Sequence, residues 1–161
     1  MAILPDSGRT ALARGIMEQK IFLAWGTGGA DWGEEPPPEE MSAAALANEI
    51  GRISLFRALY VTPDDEGELV LSSGRFAVSE EPTRHIYLEF LFGYADGGTA
   101  VIREIGVFVG CRLRDGLPSG QTCFSPADFE EPGVLFMLSH LDKKTERSPF
   151  QRGGFETVIT L

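Results

Sequence analysis

The sequence predicts an α+β domain, mostly antiparallel β-sheet with two short helices near the N-terminus. Three observations carry this expectation. Apolar residues recur at helical spacing only before Gly51, they alternate with a period of two from Ile53 onward, and Pro-, Asp- and Gly-rich turns separate the alternating runs. Strands joined by such short turns pair antiparallel, because a parallel partner needs a long crossover.

Taken in order, Ser7 to Lys20 reads as the first helix, with Ser7 or Thr10 as its cap and Leu12 and Ile16 one turn apart on one face. Ile21-Phe-Leu-Ala-Trp25 is too brief for a helix and rich in β-formers, so it reads as a buried strand that stops at Gly26. Residues 26–40 then form a Gly/Pro-rich acidic loop, in which Gly26 to Gly29 permit unusual backbone angles and Pro36, Pro37 and Pro38 impose extended geometry. The loop is longer than a compact domain usually spends on a connection, which points to contacts with another molecule; a solvated insertion is the competing reading. Ser42 opens the second helix, whose Ala43, Leu46, Ala47 and Ile50 repeat as one buried stripe until Gly51.

The first long strand follows, with Ile53, Leu55, Leu59 and Val61 pointing one way and Ser54, Phe56, Ala58 and Tyr60 the other, and Pro63-Asp-Asp-Glu-Gly67 as its closing turn. Leu69–Leu71 and Arg75–Val78 are short strands. His85–Tyr94 is a long one, with Ile86, Leu88, Phe90, Phe92 and Tyr94 on one face. Ala95-Asp-Gly-Gly98 reads as a hairpin turn pairing it with Thr99–Val109, and Val134–Leu141 and Phe155–Leu161 complete the set. With neither an internal repeat nor a break in composition, residues 1–161 are expected to form one domain.

Charge narrows the function. Lys and Arg number 14 against 24 Asp and Glu, a formal balance of −10 with an isoelectric point near 4.6. That excess argues against nucleic acid as a partner, since phosphate binding draws its affinity from clustered Lys and Arg. The start carries no basic segment followed by an apolar stretch, and no run of about 18 apolar residues occurs, so neither a leader nor membrane insertion is expected. Synthesis in the cytoplasm is the expectation, and with it free thiols at Cys111 and Cys123, which are too few for a disulfide framework.

Catalytic constellations are not apparent. Only His85 and His140 could serve as bases in a hydrolytic triad, both lie within apolar strands, and a Gly-x-Ser-x-Gly elbow is absent. With Cys111 and Cys123 they lack the close pairing of a zinc site. Glu34, Glu35, Glu39 and Glu40 are abundant carboxylates beside prolines, where solvation is normal, and Gly26-Thr-Gly-Gly29 lacks the Lys-Ser or Lys-Thr of a phosphate-binding loop. No catalytic residue, cofactor or metal is expected.

The informative feature is a pair of opposite charges, Arg103 and Glu104, inside the apolar run Val101 to Phe108. Burying either one alone costs on the order of several kcal/mol, so each needs a partner, an edge or an interface. Glu49 and Arg52 make a similar pair, and the expectation is one polar cluster of Glu49, Arg52, Arg103 and Glu104 fixing the second helix to the sheet. A solvated edge strand is the alternative.

These segments, in this order, resemble the N-terminal virion-attaching domain of tail-collar fibre proteins of tailed bacteriophages, and related tail or baseplate proteins. The likeness rests on Thr10-Ala-Leu-Ala-Arg-Gly15 with Ile21-Phe-Leu-Ala-Trp-Gly-Thr-Gly28, on Leu46-Ala-Asn-Glu-Ile-Gly-Arg52, and on Ile102-Arg-Glu-Ile-Gly-Val-Phe108. Arg147-Ser-Pro-Phe150 with Phe155-Glu-Thr-Val-Ile-Thr160 adds a softer match. Fibre proteins of this type continue into a shaft and a receptor-binding tip, so a chain ending at Leu161 is expected to be a compact adaptor or baseplate subunit.

The resemblance implies a structural protein of the virion, not an enzyme. Its partners would be copies of itself, in threefold or sixfold symmetry, and other phage tail, baseplate or fibre proteins. Trp32, Pro36, Pro37, Pro38 and Trp25 are then the interface candidates, because aromatic anchors dominate interfaces; for Trp25 a core position is the favoured alternative. Two rivals are a small cell-envelope polysaccharide-degrading enzyme, which would show two carboxylates facing across a cleft, and a soluble module binding a host protein, which would be a monomer.

Overall fold

A computed structural model of the chain describes residues 1–94, 96–146 and 152–161, and of Lys143 the backbone alone. Among these, one α-helix, α1 (Asp6–Met17), precedes twelve strands: β1 (Ile21–Gly26), β2 (Glu49–Ser54), β3 (Arg57–Pro63), β4 (Leu69–Leu71), β5 (Gly74–Val78), β6 (His85–Phe92), β7 (Val101–Val109), β8 (Arg112–Leu113), β9 (Cys123–Phe124), β10 (Phe129–Glu131), β11 (Val134–Glu146) and β12 (Gly153–Thr160). The strands form a sheet of order β11-β7-β1-β2-β9, a second of order β12-β6-β3-β5-β4, and a small pair β10-β8. The β-rich expectation therefore holds, with one helix in place of two.

The chain divides into two compact units. One comprises Met1–Gln19, Leu55–Phe90 and Gly154–Leu161, and the other Lys20–Ser54 and Leu91–Gly153.

The second unit is built around β1, whose backbone is paired on both edges by β7 and β2 and whose six residues are all buried, Phe22 and Ala24 in one cluster and Trp25 against Phe92. Its antiparallel register sets Phe22 against Phe108, Ala24 against Gly106 and Gly26 against Glu104, and on its other edge Ala24 against Arg52. Strand alternation puts these positions on one face. Phe22, Ala24, Leu46, Phe108, Cys111, Phe124 and Phe129 make its core, where the Phe22 ring meets Phe124 and Phe129 edge-on at 5.7 and 5.0 Å.

The first unit packs Val61, Phe76 and Tyr87 with half-buried Leu59, Leu69, Leu71 and Val158. Ile86, Leu88 and Phe90 are buried as the alternation of β6 requires, but Tyr94 lies past the strand and is exposed. Tyr87 donates to Glu156 Oε2 at 2.8 Å, tying β12 to β6. On α1 the buried residue is Ala13, while Leu12 is half exposed, and Pro5 begins the helix without a side-chain cap, in place of the expected Ser7 or Thr10. Proline suits that role because the N–H it lacks would have had no partner there.

Three expectations change. Residues 42–48 are not helical, since a helix would direct the amides of Ala47 and Asn48 to carbonyls one turn back, and both are taken instead by the Glu104 carboxylate. The long strand expected from Ile53 breaks at Leu55–Phe56: the Ser54 amide donates to Thr122 in one unit, and that of Phe56 to Glu89 in the other. Finally, the connection after β6 has turn chemistry, with Gly97 and Gly98 at φ of 76° and 55° and Gly93 N donating to Asp96 Oδ2. It nevertheless joins two sheets, because β7 already has β1 and β11 on its edges and β6 already has β3 and β12. Ala95, in the expected hairpin turn, and Arg147-Ser-Pro-Phe150 lie outside the described residues.

Candidate functional site

The loop foreseen at 26–40 is part of a longer strap, residues 27–48, that leaves β1 at Gly26 and returns to β2 at Glu49, positions that pair across the sheet. Its base is closed by Thr27 N donating to the Asn48 carbonyl at 3.2 Å, and by Asn48 Nδ2 donating to Thr27 Oγ1 at 2.7 Å.

Beneath that base lies Glu104, wholly buried, opposite Gly26 on β7. Its Oε1 accepts from Gly28 N (3.2 Å) and Asn48 N (2.8 Å), and its Oε2 from Ala47 N (2.8 Å). One carboxylate thereby holds both limbs of the strap. A buried charge is tolerable only with such bonds, and those to charged groups are worth about 1.5–3 kcal/mol each. Gly26 is required here, because a Cβ would fall on Glu104 Oε1 and the Asn48 carbonyl oxygen; Gly28 adopts φ +78°, and the Trp32 ring folds over it.

The middle of the strap is held by Arg103 and His140. Arg103 Nη1 donates to the Trp32 carbonyl at 3.3 Å, and Nη2 to the carbonyls of Gly33 and Glu34, while the guanidinium carbon stands 5.5 Å from the Trp32 ring centre. Its buried Nε has no partner among the described residues. His140, paired with Glu104 across β11 and β7, approaches the Pro37 carbonyl through Nδ1 at 2.6 Å, and its ring lies 4.5 Å from that of Trp32. A carbonyl only accepts, so Nδ1 carries the proton in this bond. The His140 amide donates to Glu39 Oε1 at 2.7 Å, which holds the Glu39 carboxyl below its ordinary range. That contact also caps a donor of the edge strand β11, which would otherwise invite pairing.

Exposed along the strap are Asp31, Glu34, Glu35, Glu39 and Glu40, with Pro37, Pro38 and Met41, the Glu39 carboxylate turning back to the His140 amide; the strap contains these five acids and no Lys or Arg. Trp32 and Pro36 are half-buried.

The four charges expected to form one cluster instead divide between two devices. Arg103 and Glu104 serve the strap. Arg52, 3% exposed, pairs with Glu49 at 2.7 and 3.2 Å, donates to the Pro132 carbonyl, and lies 3.7 Å above the Phe108 ring. No bond joins one pair to the other among the described residues, and with no helix at 42–50 there is none for a cluster to fix. The exposed pairs, Arg57 with Glu89 and Arg112 with Glu131, are of the kind worth about 0–1 kcal/mol, so these buried arrangements carry more of the architecture.

Trp25 is 2% exposed and packs edge-on against Phe92 at 5.1 Å, a core position and not an interface anchor. Cys111 and Cys123 are free thiols, as expected from the sequence; burial pushes Cys111 up and, with Asp96, Cys123 to about 11. His85 Nδ1 bonds Thr160 Oγ1 at 2.8 Å, and burial and then the Arg84 charge hold its pKa below the usual value. Among the described residues no group of three or more His, Cys, Asp or Glu could hold a metal ion, and no helix is long and apolar enough to cross a membrane.

Sequence reasoning missed Leu46 as the apolar anchor of the strap, Asn48 as its clasp and His140 as its outer fastening. Leu46-Ala-Asn-Glu and Ile-Arg-Glu-Ile-Gly, segments that carried the family resemblance, are the two halves of this one hydrogen-bonded joint. The arrangement fastens backbone, and it places no nucleophile beside a base.

Compared with known proteins, the whole chain, residues 1–161, matches the family described as baseplate wedge 3 tail fiber network component. No curated protein matches it.

Proposed function

The chain belongs to the baseplate wedge 3 tail fiber network component family, and we propose that within the phage baseplate it is a docking subunit that grips its neighbours through the strap. The family is structural, and it places the chain in the tail of the virion among other tail or baseplate proteins. In the finer reading residues 1–161 act as one attachment-type domain, related to the attachment domain of tail-collar fibre proteins. The domain is made in the host cytoplasm and assembles in threefold or sixfold copies that join fibre or baseplate partners.

One observation carries this reading. The strap is fixed from within by Glu104, Arg103 and His140, yet its outer surface consists of carboxylates, prolines and Met41 that make no contribution to the core. A segment ordered at such cost and left facing outward is suited to meeting another molecule with little further loss of freedom on binding. Trp32 and Pro36 to Pro38 are the anchors of that contact.

The test uses assembled particles. Removal of Asp31–Pro38 should leave both units folded by circular dichroism but reduce the chain in purified particles to background. Normal incorporation of the deletion variant would sink the docking role, and absence of the intact chain from particles would sink the baseplate reading altogether.

A further inference from the structure

β12 is the last strand of its sheet, and its outer edge is open among the described residues. Leu161 N donates to the Arg84 carbonyl at 3.1 Å, and the side chains of Thr160 and Glu156 meet those of His85 and Tyr87, so β12 runs antiparallel to β6 with Leu161 opposite Arg84. Bonding alternates along such a ladder. The odd-numbered residues of β12 therefore bond β6, and Gly154, Glu156, Val158 and Thr160 turn their amides and carbonyls outward. We propose that this edge takes up an extended segment of another protein as a further strand, with a lysine or arginine of that segment set against Glu156.

Three observations carry this assignment. First, the other edges of the two five-stranded sheets are short or guarded, since β4 has three residues, β9 has two, and on β11 the His140 amide is taken by Glu39. The eight residues of β12 include no Pro, Lys or Arg to deter pairing. Second, the register sets Glu156 opposite Glu89, and both border an open recess of about 190 Å3 with Gly154 and Phe155. Third, Arg57 neutralises Glu89 at 2.8 Å, whereas Glu156 accepts from the Tyr87 hydroxyl through Oε2 and has no cation, and no partner for Oε1, among the described residues.

The recess is smaller than the roughly 300–1,000 Å3 of small-molecule pockets and suits the end of one long side chain. Main-chain bonds supply the affinity of an added strand, and the cation beside Glu156 sets its register. A second copy of β12 fits less well. The antiparallel register that serves every outward group sets Gly154 opposite Thr160 and Glu156 opposite Val158, which leaves the two Glu156 carboxylates diagonal neighbours without a cation between them.

The experiment adds the peptide acetyl-Thr-Val-Thr-Lys-Thr-Val-Thr-amide to the isotope-labelled full chain and follows amide hydrogen exchange by NMR. Two controls run in parallel: the peptide with Glu in place of Lys, and the peptide with Pro in place of each Val, which keeps the charge but cannot join a ladder. At saturation the Lys peptide should slow exchange at Gly154, Glu156, Val158 and Thr160 about tenfold and leave Phe155, Thr157 and Ile159 as they are. The Glu peptide should bind about threefold more weakly, in line with an exposed charge pair, and the Pro peptide should leave exchange unaltered. Glu156→Gln should narrow the gap between the Lys and Glu peptides.

Unchanged exchange at the four outward amides, equal affinity for the Lys and Glu peptides, or equal binding of the Pro peptide overturns the proposal. So does protection of the same amides in the peptide-free chain that grows with protein concentration, because the occupant would then be a second copy. Should Glu156→Gln fail to fold, the comparison of Lys and Glu peptides on the native chain decides. None of these outcomes bears on the docking role of the strap.

Discussion

Glu104 is the residue on which the strap depends, because its acceptors serve backbone donors at both ends of a 22-residue excursion, residues 27–48. Glu104→Gln keeps the shape but replaces one acceptor oxygen by a donor that faces other donors, so at least one buried amide loses its partner. A loss of about 2–3 kcal/mol is expected in the urea unfolding of that unit, followed through the buried Trp25. An unchanged midpoint would mean that water replaces the carboxylate without cost.

His85 gives the first unit a pH response whose sign follows from burial. Its folded pKa is lowered, so the unfolded chain binds more protons between the two values, and stability rises with pH there. The contribution is complete above the ordinary histidine value of about 6.5 and is lost as pH falls through the lowered one. Urea midpoints should drop between about pH 7 and pH 5, and His85→Gln should flatten that slope; an identical slope in the variant would assign it elsewhere. Glu39, also lowered, acts in the same sense but in the carboxylate range, and its exposure keeps the effect small.

At the scale of elements, the strap is fastened at base and middle by different groups, so the two should loosen separately. Arg103→Ala should speed hydrogen exchange of the Trp32 amide, which bonds Gly29, by about tenfold or more while Ala47 and Asn48 stay protected. Equal acceleration at all three would show that the strap opens as one piece. The same element shows where sequence reading stops. The stripe Ala43, Leu46, Ala47 and Ile50 has helical spacing, and Leu46 is indeed buried, but Ile50 is 41% exposed. What overrides local preference is a carboxylate 56 and 57 residues away along the chain, which no window of local periodicity contains. Arg103 and Glu104 were legible as charges needing partners; that those partners are backbone groups of the strap, on both of its limbs, was not.

Across the whole molecule, strand positions were legible and strand partners were not. Alternation locates β6, β11 and β12, and a continuous apolar run locates β7, because each must turn apolar side chains to a core, yet neither pattern says which edge a strand occupies. The turn after β6 satisfies hairpin chemistry and still leads from one sheet to another. The chain passes repeatedly between the two units, so each is assembled from segments distant in sequence.

The pinned base of the strap has a consequence of its own. Since Thr27, Asn48 and Glu104 close the ring at its base, and Arg103 and His140 hold what lies beyond through the backbone carbonyls of Trp32, Gly33, Glu34 and Pro37, the exposed side chains of Glu34 and Glu35 can be exchanged without disturbing those bonds. The protein thus separates holding from gripping, as an exchangeable bit is separated from the chuck that clamps it.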